Sequence, residues 1–280
     1  MPSSVCSNNL RCRFTTTCTS QPEAKMIILL ISALLTFTVA SLYIVHRTLN
    51  SKLHASHQST IPTAITARIR SIPEDVLTSQ NKYAKFYDQA VRSVPRQLLP
   101  DVPLPDLLTF LLRHNFVAFA HFPQAWILRL SSPSRDRHTF ASDYVQSSNF
   151  EEGDRICGVY RAVVRTENQV ELSMARGAVT GRLVIGYEFD EDKGMVNFST
   201  ETVMWMLKDK EGGGGGGGGG GGKIPLENPL LRFFHEMAAW WLMDSGVRFL
   251  MDLEGADPEE KVAFGTEDAT ESPFPFEKNE

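Results

Sequence analysis

From Met26 to Val45 the chain reads MIILLISALLTFTVASLYIV, 20 residues without a charge. A segment of this kind must surround itself with lipid or with protein, so it constrains the fold more than any other feature. As a helix rising about 1.5 Å per residue it reaches roughly 30 Å, the hydrocarbon thickness of a bilayer. Its polar members are Ser32, Thr36, Thr38, Ser41 and Tyr43, and Ser and Thr hydroxyls are tolerated in lipid because they bond back to helix carbonyls. Lys25 and His46-Arg47 bracket the run, with Tyr43 placed as an interfacial aromatic. The alternatives are a signal peptide and a buried core helix. Signal peptides carry an apolar region of about 7–15 residues ending at small residues, whereas this run is longer and lacks an AxA-like pattern after it. The expectation is a single retained span over residues 26–46, with the bilayer as partner through residues 26–45.

Orientation is nearly a tie. Three basic residues precede the span (Arg11, Arg13 and Lys25), and Arg47 and Lys52 follow it closely. A short cytosolic tail with the body in a lumen is slightly favoured, giving an ER-type endomembrane location. In that case Asn197-Phe198-Ser199 is a formal glycosylation sequon. The tail is Ser/Thr-rich, contains Arg and has a single acid, which keeps the mitochondrial inner membrane as the alternative. Cys6, Cys12 and Cys18 in that tail read as solvated thiols, with reversible acylation as the second possibility.

Charge is distributed unevenly. The chain carries a net −5, which argues against a generally basic nucleic-acid-binding surface. Residues 252–280 hold ten acids against Lys261 and Lys278, a net of −8, while residues 1–46 come to +2. Residues 47–251 carry 23 bases and 22 acids and are close to neutral. Four cysteines, three of them in the tail, do not make a disulfide scaffold. The expected organisation is a disordered tail over 1–25, the membrane helix, a polar stalk over 47–64, an α+β domain over 65–253 and an acidic disordered remainder over 254–280. In the stalk, His54 and His57 have a spacing suited to a metal on a helix. No further ligand is nearby, and solvated linker histidines are expected.

Within the body, Thr66 to Arg70 alternates as a short strand, and Ser71-Ile72-Pro73-Glu74 resembles a helix start. Val76, Tyr83, Phe86, Tyr87, Ala90 and Val91 fall at helical spacings and predict a helix over 76–91. Asp106 to His114 predicts a short helix. Phe116–Phe122 and Ala125–Leu130 are apolar runs separated by Pro123-Gln124 and predict strands. Further strands are expected over 154–166, 169–175, 179–189 and 195–207. Alternation in Val170/Leu172/Met174 and Leu183/Ile185/Tyr187/Phe189 implies an antiparallel sheet with one dry face. Turns are expected at Glu167-Asn168 and Asp190–Gly194.

Eleven glycines, Gly212–Gly222, follow the last strand. A phosphate-binding loop would close with Lys-Ser or Lys-Thr at a helix start, and Lys223-Ile224 does not, so the run reads as a low-complexity insertion. Leu230 to Leu253 then predicts one long helix. Leu230, Phe234, Met237 and Trp241 form its apolar stripe, Gly246 is a potential kink and Gly255 a stop.

A strand, two helices, a run of antiparallel strands and one long closing helix is an order that resembles the START-like (SRPBCC) helix-grip superfamily over residues 65–251. Glu152-Gly153-Asp154-Arg155-Ile156 opening a strand and the Trp/Phe/Met-rich closing helix carry the likeness. The strands expected over 116–130 depart from it. The resemblance implies a curved sheet wrapped on the closing helix around an apolar cavity that takes a lipid or other hydrophobic small molecule. Its implied lining is Met174, Leu183, Ile185, Tyr187, Met204, Trp205, Met206, Phe234, His235, Met237 and Trp241. Solid core is the competing account of the same side chains. No cofactor, metal or nucleic-acid partner is expected.

Catalytic signatures are weak. His235-Glu236 lacks the second His of HExxH, because position 239 is Ala, and no GxSxG elbow is present. Cys157 sits in an apolar strand as a buried, inert thiol. His114, His121 and His138 have no acid partner legible in the sequence. Arg176 and Arg182 flank the Gly177 turn, as solvated turn residues or as a site for an acidic headgroup. His235 is the first ionisable group to test if it faces the cavity. The expected function is a membrane-anchored, non-catalytic module binding a hydrophobic small molecule or lipid. The alternatives are an enzyme on an apolar substrate (thioesterase, cyclase or hydrolase) and a structural membrane protein with a solid body.

Overall fold

In a computed structural model of the chain, residues 22–62, 68–79, 81–208 and 224–253 are described. The tail cysteines, Thr66 and Ala67, the glycine run and the acidic remainder lie outside the described residues, and residues 68–70, the described part of the expected Thr66–Arg70 strand, are turn and not strand. The chain divides into two compact units, Met1–His46 and Arg47–Glu280.

Helix α1 (Pro22–Asn50) occupies the first unit and ends in the second. Among the described residues, its segment Met26–Asn50 is the one helix long and apolar enough to cross a membrane. The mean hydropathy of its most apolar window is 2.4, and none of that window is buried. The segment is not a core helix of this chain, and its length and composition fit a membrane span or a signal sequence. The polar side chains behave as lipid requires: Ser32 Oγ donates to Leu29 O at 2.9 Å, and Thr36 and Thr38 donate to the carbonyls of Ser32 and Leu34 at 2.8 Å.

The second unit is α+β. Its elements are β1 (His54–Gln58), α2 (Glu74–Thr78), β2 (Tyr83–Pro95), α3 (Leu104–Ala120), α4 (Pro123–Ser131), α5 (Ser142–Ser147), β3 (Arg155–Ile156), β4 (Tyr160–Arg165), β5 (Gln169–Arg176), β6 (Val179–Asp190), β7 (Met195–Leu207) and α6 (Pro229–Met251). The seven strands form one antiparallel sheet in the order β1-β2-β7-β6-β5-β4-β3.

Three further sequence expectations are corrected. Residues 83–91 are strand, not helix. β2 lies inside the sheet between β1 and β7, so it buries Phe86, Asp88 and Ala90 on one face and Tyr87 on the other. A strand buried on both faces loses its alternation and imitates a helical pattern. Residues 116–130 are helix, not strand. α3 buries Leu107, Leu108, Leu111, Leu112, Asn115 and Phe116, a helical repeat that continues through the apolar run, and Pro123 opens α4 instead of breaking a strand. The stalk is also not wholly irregular, because His54–Gln58 pairs with Val91–Tyr87 as an edge strand. Spaced three apart on a strand, His54 and His57 point to opposite faces.

Both sheet faces are covered. On one, Ala90, Val94, Val170, Leu172, Ile185, Val196 and Phe198 pack with α3 and α6 in the main core. Gly246 lets those helices approach: a Cβ there would overlap Asn115 Oδ1 and Leu111 Cδ1, so this glycine serves packing within an uninterrupted helix. Asp244, 1% exposed, gathers Lys52 (3.4 Å), Arg92 (3.6 Å) and Arg248 (3.0 Å), tying α6 to β2 and to the turn before β1. On the other face Tyr87, Val184, Val203 and Trp205 pack under Ile69, Ile72 and Val76. The expected wet face is therefore partly roofed.

Candidate functional site

The register assembles the site on that second face. One row across the sheet reads Glu171, Val184, Glu201, Gln89, Ser56, and the next reads Gln169, Gly186, Ser199, Val91, His54. Because alternate residues share a face, these rows stand side by side. Gly186 puts no side chain in the middle of the second row, and a Cβ there would meet Asn168 O at 2.6 Å. Over this floor lies a half-open cavity of about 520 Å³. Its walls include His54, Arg68, Gln89, Asn168, Gln169, Glu188, Asn197 and Glu201.

Two buried carboxylates hold the site. Glu171 accepts from Arg70 N (2.8 Å), Ser71 N (2.9 Å) and Gln169 Nε2 (3.0 Å), which fastens the segment before α2 onto the sheet. Gln169 Nε2 also donates to Arg68 O at 2.9 Å. Glu201 accepts from the Arg68 guanidinium and from Tyr87 Oη at 3.1 Å. Burial raises the Glu201 pKa, and Arg68, Tyr87 and Gln89 only partly offset this. The Arg68 side chain remains 40% exposed and brings positive charge to the cavity wall. Arg182 is neither solvated nor free for a headgroup: it donates to Ser71 Oγ (2.7 Å) and Ser71 O (2.9 Å) and lies 5.2 Å from the Trp205 ring. Arg68 is paired with Glu201, and Glu188 lies in the same wall, so the lining is rich in hydrogen-bonding groups and carries no excess of positive charge. It suits an uncharged hydroxyl- or amide-bearing group better than a strong anion.

The structure divides the residues expected to line one cavity between sheet and helix. Leu183, Ile185, Tyr187 and Met237 do meet in the main core, with Met174 on the same sheet face by alternation. Met204 and Met206 join a separate cluster with Phe86, Ile224 and Leu226. Trp205 points to the opposite face. Phe234 and Trp241 are 43% and 37% exposed, and Trp240 is buried instead. The expected stripe is rotated, because the helix is apolar nearly all round and its sequence does not set which side faces the sheet.

His235 does face the sheet. Its Nε2 lies 3.2 Å from Asp88 Oδ2 and 3.5 Å from Thr202 Oγ1, while the adjoining Glu236 sits 3.4 Å from His57 Nδ1. Burial lowers the His235 pKa, but the charge and hydrogen bond of Asp88 and the charge of Glu236 outweigh it, so the net shift is upward. A nucleophile relay needs the acid on one ring nitrogen and the hydroxyl on the other. Here both lie at Nε2, which is not the geometry of that relay. His114 Nε2 instead lies 3.1 Å from Ser245 Oγ, its ring stacked on Phe249 at 4.5 Å, and His138 packs edge-on against Tyr144. Cys157 is fully buried, as expected.

The sequence reading missed Glu171, Glu201 and Gly186 as a set. The signal lay in two acids at interior positions of apolar strands, which is costly without partners. The sequon is built into the same wall: Asn197 accepts from Ser93 Oγ at 2.6 Å near the start of β7. No family model matches this chain, and neither does any curated protein or solved structure.

Proposed function

We propose that the chain is a membrane-anchored, non-catalytic binding module, in which a helix-grip-like body takes a ligand through an uncharged hydroxyl- or amide-bearing group. The helix-grip assignment draws support from the order of elements: a long strand, intervening helices, consecutive antiparallel strands and a closing helix packed on one sheet face. With residues 116–130 helical, the departure noted in the sequence disappears. The anchor rests on Met26–Asn50.

The observation that carries the binding role is the polar cavity over Gly186. Met237, Trp240, Met243, Val247 and Leu250 of α6 are buried in the main core with residues of α3 and the sheet. That packing favours solid core over the apolar space first expected there, so the ligand is assigned to the other face. A lipid ligand remains compatible when its headgroup carries the recognised chemistry. The test is mass spectrometry of aqueous and organic extracts from the full chain purified in mild detergent, compared with Ser199→Phe, which fills the cavity floor. A polyol or amide compound in the aqueous extract, or a lipid with such a headgroup in the organic one, is expected from the wild type and not from the variant. Equal recovery from both proteins, or none from either, refutes the assignment.

The enzyme reading has one observation in its favour, the His235–Asp88 pair. A hydrolytic activity toward thioester or ester substrates that disappears in His235→Gln would establish it.

A further inference from the structure

We propose that α4 is an interfacial helix that lays Trp126, Ile127 and Leu130 into an anionic lipid surface. This inference rests on the membrane-anchor part of the reading above and is independent of the cavity. α4 has nine residues, and its side chains divide sharply: Ala125 is buried and Leu128 half-buried, whereas Trp126, Ile127 and Leu130 are 47%, 59% and 77% exposed. At 100° per residue these three fall in one arc, opposite the arc of Ala125 and Leu128. The apolar side of the helix therefore points away from the body. Phe122, just before α4, packs at a tilt against Trp241 of α6 with ring centroids 5.4 Å apart. This extends the apolar patch onto a second helix.

The charge around the patch selects the occupant. Between residues 121 and 141 the charged residues are Arg129, Arg135, Arg137 and Asp136, with His121 and His138 beside them. Asp136 is buried and held by Arg155 at 2.7 Å, so it offers little negative charge outward. Arg129, Arg135 and Arg137 are all exposed. Arg137 Nε donates to Ser132 O at 3.3 Å, which pins one guanidinium at the end of α4. A short helix with Trp, Ile and Leu outward and arginines at its border matches the composition of segments that lie in the headgroup region. Their apolar side chains enter the acyl boundary, and their cations contact anionic lipids. Three side chains alone bind weakly, but an apolar anchor in the same chain keeps the membrane at high effective concentration. An acidic protein surface could pair with the same arginines, but the anchor holds lipid, not such a partner, beside the chain.

The test uses the full chain reconstituted into vesicles of phosphatidylcholine with a minority of phosphatidylserine, with and without acyl chains brominated near the headgroup. Bromolipid is expected to quench wild-type tryptophan fluorescence, and Trp126→Phe to remove the largest single fraction of that quenching. Leu130→Asp should reduce quenching while leaving the circular dichroism spectrum unchanged, and omission of phosphatidylserine should weaken it. Equal quenching in wild type and Trp126→Phe overturns the proposal. So does shielding of Trp126 from acrylamide that follows protein concentration in detergent, which marks a second copy as the occupant. Carbonate extraction separates the two levels. A chain released by carbonate refutes the anchor, whereas a retained chain with unquenched Trp126 refutes the α4 inference alone.

Discussion

His114 and His235 are both partly buried, and their environments push them in opposite directions. Burial against Phe249, with only a neutral hydroxyl as partner, pushes His114 down to about 4 from its ordinary 6.5. The folded state disfavours its protonation, so this contribution to stability is full above pH 6.5 and falls as the pH drops from 6.5 toward 4. His114→Phe keeps the stacked ring and is expected to flatten that acid limb in urea-unfolding midpoints measured across pH. His235 is raised by Asp88. Its contribution is full below 6.5 and fades as the pH rises through the folded value, so His235→Gln should remove a slope on the neutral-to-alkaline side. Cys157 has its thiol pushed up to about 12 by burial. In a chain with Cys6, Cys12 and Cys18 replaced by Ser, maleimide should label Cys157 only after unfolding, and rapid labelling of the native protein would contradict its burial. The sequence offered His235 as the first ionisable group to test and Cys157 as a buried thiol. It did not supply Asp88, which lies 147 positions away.

Among the elements, α6 shows most clearly what a sequence pattern leaves open. Its existence was legible from length and composition, and Asn228 caps it by accepting from Leu230 N at 2.9 Å and Leu231 N at 3.3 Å. Its rotation was not legible, because Leu230, Leu231, Phe233, Phe234, Trp240 and Trp241 supply apolar surface in several directions. Packing in the main core, against α3 and the sheet together, buries the side bearing Met237, Trp240, Met243, Val247 and Leu250, and a Cβ on Gly246 would run into α3. Gly246→Ala gains roughly 1 kcal/mol in helix propensity, but its methyl must displace Asn115 or Leu111, an overpacking cost of about 1–3 kcal/mol. Net destabilisation by about 1 kcal/mol is expected, seen as a lower urea midpoint at unchanged slope. A stabilised variant would show that α3 and α6 separate readily. β2 teaches the converse: burial on both faces erased the alternation by which a strand is recognised.

At the scale of the whole molecule, the sheet is closed by contacts between distant parts of the sequence. β2 pairs with β7 over its full length, joining Tyr83–Pro95 to Met195–Leu207. Past β7, Ile224 and Leu226 return to pack with Phe86 and Met206 at the same end of the sheet. Ile224 thus packs at the end of the sheet where β7 finishes, and the connection that holds the eleven glycines is expected to tolerate shortening. Shortening that connection to about five residues changes loop entropy by under about 1 kcal/mol. Deletion of most of Gly212–Gly222 is expected to leave the thermal midpoint within a few degrees of the wild type. Failure of the deleted chain to fold would mean that the connection carries contacts of its own.

What one stretch of chain can state about itself was readable before any coordinates: a 20-residue uncharged run, the hairpin around Asp190–Gly194, β5 to β7 with boundaries within a residue or so, and the closing helix. These depend on local hydrophobic period, length and turn chemistry. Helix or strand at 83–95 and 116–130, the outward face of α6, and the pairing of buried acids with Arg68 and Tyr87 depended on partners far along the chain. Burial is a property of the assembled molecule, and the same apolar residues satisfy a helix, a central strand or an exposed docking face until the surrounding elements are in place.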